Sequence, residues 1–239
     1  MTKKENGHEK SNCFAAGSDD DPVDAGKTEA AKEKGKEAYD QLTEAYTMTD
    51  MFGDDLYNLW ADALNNSSAY KKDPLQAFMK NVSGVDQNTI KLGILCATAE
   101  VASAKENKEN VVDTFTNYTE EERAKLLEGI EDSTLSTVFF MVSNVSAFSI
   151  IVLLDAYKIS GTVSAIQQNM EEVKEQIKEL ETEYPDFEGL SALKSIYATT
   201  SSYLDFCLDP KGSVLQAADT LTGFRTSVKT SMGELELIF

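Results

Sequence analysis

The chain carries a single histidine, His8, among 239 residues, and that scarcity removes most catalytic schemes at once. Histidine acid–base chemistry, Ser-His or Cys-His nucleophiles and histidine-ligated metals all need a residue found here only in a polar stretch near the start. The Glu-x-x-His pairs of di-iron bundles fall with it. Glycine is sparse, thirteen in all, and no glycine-rich phosphate loop occurs. The three cysteines, Cys13, Cys96 and Cys207, cannot all pair and show no metal-ligand spacing, which argues against a disulfide scaffold. Cys96 and Cys207 lie among Leu92 and Ile94 and among Leu204 and Phe206, where a thiol serves as a small apolar group. The acidic stretch Asp19 to Asp24 lacks the alternating pattern of a calcium loop. The expectation is a non-enzymatic protein with no cofactor and no metal.

Positive charge is also short: 22 Lys and Arg face 41 Asp and Glu, a net charge of −19. Counterion displacement from a nucleic-acid backbone needs the opposite balance, so nucleic acid is an unlikely ligand. An anionic membrane would repel the chain, whereas a basic partner or plain solvent suits it. Met1 to Lys10 is charged and holds no apolar core of a signal peptide. That leaves the compartment open between the cytoplasm and export by an unconventional route. Sequons stand at Asn65, Asn66, Asn81, Asn117 and Asn144, and we read them as chance in an Asn/Ser-rich chain.

Four prolines and abundant Ala, Glu, Lys, Leu and Gln make all-α the expected class. Residues 1–35 form a polar, acidic arm expected to be disordered, and 36–239 a single helical-bundle domain. A first helix is expected from about Lys36 to Leu64, broken near Gly53 with Asp54 as a new N-cap. Asp73-Pro74, Asp86 and the Thr119–Glu122 capping box each announce a helix start, and Asp209-Pro210-Lys211-Gly212 a turn. The strongest periodicity is a 3-4-3-4 register through Leu135, Val138, Val142, Val145, Ser149, Val152, Ala156, Ile159, Val163, Ile166, Met170, Val173, Ile177, Leu180 and Tyr184. It predicts one coiled-coil-like helix over about 133–184, on the order of 75 Å long, at the centre of an elongated antiparallel bundle. Its packing and interaction spine is Val142, Val145, Val152, Val163, Ile166, Met170, Val173, Ile177 and Leu180.

Within that register Ser133 to Leu154 carries no charge, and at 22 residues it is long enough to span a bilayer. Phe139, Phe140, Phe148, Ile150, Ile151, Leu153 and Leu154 would enter the membrane. Against this stand its hydroxyls, its acidic flanks and a register that continues in phase into the highly charged 171–183. A helix buried on all sides of a bundle gives the same composition. In its uncharged mid-chain segment and long amphipathic helices the chain resembles α-helical pore-forming toxins of the ClyA and haemolysin-BL type. It is shorter than those toxins and has one uncharged helix where they carry a hairpin or tongue. The leading expectation is a bundle acting through protein–protein contact or assembly. Membrane insertion of 133–154 and an acidic decoy that mimics nucleic acid are the alternatives.

Overall fold

The computed structural model describes residues 22–103 and 108–239, with side chains over 27–103 and 111–239. It is all-α, 83% helical, with eleven helices and no strand among the described residues. They are α1 (Pro22–Asn65), α2 (Ser67–Lys72), α3 (Pro74–Asn81), α4 (Gln87–Ala102), α5 (Lys108–Asn117) and α6 (Glu120–Leu127). Then follow α7 (Asp132–Met141), α8 (Val145–Ile159), α9 (Thr162–Glu183), α10 (Leu190–Leu208) and α11 (Val214–Leu235).

The longest helix lies in the first third of the chain, not over 133–184 where periodicity puts it. α1 runs 44 residues, about 66 Å at 1.5 Å per residue, and α8, α9, α10 and α11 pack along it. It begins at Pro22, ahead of Lys36; residues 1–21 of the expected arm lie outside the described residues. The expected break at Gly53 is absent: α1 runs through it, and the missing side chain makes room for the Tyr203 ring. Asp54 does not cap; it binds Arg225.

The single helix over 133–184 is corrected to three, α7, α8 and α9. Asn144 ends the first gap as an N-cap, its side chain accepting from the Ala147 N–H at 3.0 Å. Gly161 makes the second break at φ 82°, in the left-handed region, and α8 and α9 diverge by 61° there. Register arithmetic passes over both residues because neither changes the apolar spacing. The buried face nevertheless survives the breaks. Val145, Val152, Val163, Ile166, Met170, Val173, Ile177 and Leu180 are all buried, and Val142, in the first gap, is half-buried. Each short helix turns the same stripe inward, and the stripe of α9 is what α1 rests on.

The local start signals appear as expected. Asp73, Asp86 and Thr119 each accept a backbone N–H at a helix start, and Thr119 with Glu122 completes its capping box. The 209–212 turn lies between α10 and α11, with Gly212 at φ 93°.

Most buried apolar side chains form one core; Leu92, Cys96, Val112 and Ile159 make a second, smaller one under α5 and α6. Between the two, α4 and α8 approach closely at Gly93. A methyl there would lie 2.6 Å from the Val152 carbonyl oxygen and 3.2 Å from the Ala156 nitrogen, both backbone atoms that cannot swing aside. Gly223, mid-α11, has nothing within 4 Å of such a methyl. Urea unfolding should therefore separate two identical substitutions. Gly223→Ala gains about 0.5–1 kcal/mol from helix propensity, whereas Gly93→Ala loses about 1–2 kcal/mol because overpacking outweighs that gain. Equal shifts for the two would contradict the tight α4–α8 seam.

Candidate functional site

α7 is anchored by one face and bare on the other. Leu135 and Phe139 point inward, and Phe139 meets Phe78 at 5.9 Å, Tyr70 at 6.3 Å and Phe148 at 5.1 Å between ring centroids. The Ser136 hydroxyl donates to the Lys72 carbonyl at 3.1 Å, tying α7 to the end of α2. The next positions on a 3.6-residue helix must then point away. Phe140 is 74% exposed and Met141 76% exposed, with the Lys71 ammonium 6.0 Å from the Phe140 ring centroid. Two adjacent large apolar side chains thus project where α7 ends, on an otherwise acidic protein.

Of the residues nominated for membrane entry, Phe139, Phe148 and Leu153 are buried, and Ile150, Ile151 and Leu154 are half-buried against the core. Only Phe140 is exposed. Among the described residues no single helix is long and apolar enough to cross a membrane, although α8 and α9 together pass that test across their bend. The spine residues serve the inside of the bundle and are not a surface. Phe140 was visible in the sequence as part of an apolar run, but its outward direction follows only from Phe139 being claimed by the aromatic cluster.

Three polar arrangements are also built into the helix seams. Asp55, 2% exposed in α1, accepts from the Ser83 and Gly84 N–H groups, the Ser83 hydroxyl and the Tyr157 hydroxyl. Arg225 of α11 donates to Asp50 at 2.6 Å and to Asp54, while the Tyr203 hydroxyl donates to Asp50 at 2.9 Å. The third joins α4 to α8. Cys96, Glu100 and Asp155 each offer a ligand atom, and these atoms lie within 4.8 Å of one another. Burial first, and then the negative charge of Glu100, push the Asp155 carboxyl up to about 7, with Lys158 opposing. Burial, followed by the charges of Asp155 and Glu100, also pushes the Cys96 thiol up.

This cluster could hold a cation, which the sequence did not suggest. Cys96 and Glu100 are one helical turn apart and therefore share a face of α4, a relation legible from spacing. Asp155 comes from a distant helix, and its place beside Cys96 had no signal in the sequence.

Acidic side chains elsewhere are interleaved with lysines. Glu171 pairs with Lys174 at 2.8 Å, Lys34 bridges from α1 to Glu183 at 2.7 Å, and Glu181 meets Lys194. No family model, curated protein or solved structure matches this chain.

Proposed function

We propose that the protein acts without catalysis, as a helical-bundle module that docks a partner protein through the end of α7. The observation that carries this reading is the outward pair Phe140 and Met141, held on a helix whose other face is fixed in the core. Aromatic side chains and methionine are enriched at protein interfaces, and a helix already fixed in the core presents them without any further ordering of backbone. The net charge of −19 opposes self-association through the flanks, which favours a different protein as the partner. An acidic decoy is less well supported, because the ion pairs of α9 interrupt any row of like charge.

A bilayer surface is the second reading, favoured by the uncharged run 133–154 and by Lys71 beside the tip. The test uses the chain and a Phe140→Ser/Met141→Ser variant, whose melts should coincide because both positions are exposed. Immobilised wild type should retain a protein from native extract that the variant binds about tenfold or more weakly. Equal retention by both, or none by either, contradicts docking at α7. Sedimentation with anionic vesicles that is lost in the same variant would move the role from protein to lipid.

A further inference from the structure

We propose that Cys96, Glu100 and Asp155 form a binding site for one divalent transition-metal ion of zinc-like preference, stapling α4 to α8. Three ligand atoms of the right kinds already stand within 4.8 Å of one another. A second observation is independent of that spacing. Asp155 is 2% exposed and its Oδ2 has no hydrogen-bond partner, although buried carboxylate oxygens are almost always satisfied. A carboxylate in an apolar seam beside a second acid is costly unless a proton or a cation neutralises it, and a cation would also serve the open oxygen that the Cys96 thiol leaves.

The donor set selects the class of ion. A thiolate is soft and disfavours magnesium and calcium, while two carboxylates suit zinc, cobalt(II) or iron(II). With zinc–sulfur and zinc–oxygen bonds of about 2.3 and 2.1 Å, tetrahedral ligand atoms sit roughly 3.5 Å apart. Closing from 4.8 Å to that spacing takes a side-chain rotation at Glu100, the half-buried member of the three. Three protein ligands leave the fourth tetrahedral position to a water. The cation displaces the Cys96 thiol proton and leaves a cluster of near-neutral charge with Lys158 nearby. The staple would join the main core to the small one formed by Leu92, Cys96, Val112 and Ile159.

Cobalt(II) is the probe, because a cobalt–thiolate bond gives a charge-transfer absorption in the near ultraviolet. Chelator-treated, reduced protein in which Cys13 and Cys207 are replaced by serine leaves Cys96 as the sole thiol. Titration should raise that absorption to an endpoint of one equivalent per chain, and zinc should bleach it. Asp155→Asn and Glu100→Gln should each weaken cobalt binding by about tenfold or more, with far-ultraviolet circular dichroism reporting that both still fold. No thiolate band at one equivalent overturns the site. So does a band in the otherwise native chain that survives Cys96→Ser, or one indifferent to both carboxylate variants.

Discussion

Asp55→Ala is expected to cost about 3–5 kcal/mol of folding free energy, a large share of what a domain of this size holds in reserve. The carboxylate sits 2% exposed where α1, the 82–86 loop and α8 meet. It accepts the Ser83 N–H at 3.0 Å, the Gly84 N–H at 2.8 Å, the Ser83 hydroxyl at 3.1 Å and the Tyr157 hydroxyl at 2.7 Å. Each buried donor left without an acceptor costs about 1–3 kcal/mol, and alanine leaves these four donors to turn to water where they can. Tyr157 is the least able to, being fully buried and stacked on Phe52 at 4.1 Å between centroids. Asp55→Asn should lose about half as much, because one oxygen remains while the new amide confronts N–H donors. Tyr157→Phe removes a single charge-assisted bond and should cost about 1.5–3 kcal/mol. Urea midpoints rank the three. An Asp55→Ala protein within 1 kcal/mol of wild type, by the same bookkeeping, would mean that the loop and α8 do not depend on this carboxylate.

Asp55 also marks where a sequence can mislead. The string Gly53-Asp54-Asp55 has the composition of a helix break, and local propensity argues for one. Yet Phe52, Leu56, Leu59 and Ala63 keep one face without interruption, and Asp55 falls on that same face. An acid on a core face is a signal for a buried acceptor, and tertiary partners override the propensity. α9 failed in the opposite sense. Its stripe from Val163 to Leu180 was legible in every position, but the same arithmetic extended the helix through Gly161 and Asn144, where caps decide the chain's direction. The caps at Asp73, Asp86 and Thr119 were legible because each is completed within three or four residues. The Cys96–Glu100–Asp155 cluster and the Arg225–Asp50 pair were not, since each depends on which helices become neighbours.

Val173→Asp should abolish the cooperative melt, or lower its midpoint by about 10–20 °C for a loss of about 4–5 kcal/mol in a chain of this length. Val173 is fully buried at the middle of the α9 stripe, between Met170 and Ile177, on the face that meets α1. Aspartate is too short to carry its charge around the helix to water, unlike the glutamates and lysines of the outer face. Those lysines are engaged: Lys174 with Glu171, Lys178 with Glu175, and Lys34 of α1 with Glu183. Ser164→Asp is the matched comparison, the same carboxylate on the same helix, exposed and in its first turn. There the helix dipole favours a negative charge, so stability should hold or rise by about 0.3–1 kcal/mol. A melt indifferent to both substitutions would mean that α9 does not bury its stripe on α1. A melt damaged equally by both would make added charge, and not the buried face, the cause. The large, one-sided loss is required if the register is read as a packing surface carried by separate helices, because α9 is then held by its packing, chiefly on α1 and also on α10, and not by helical continuity with α8.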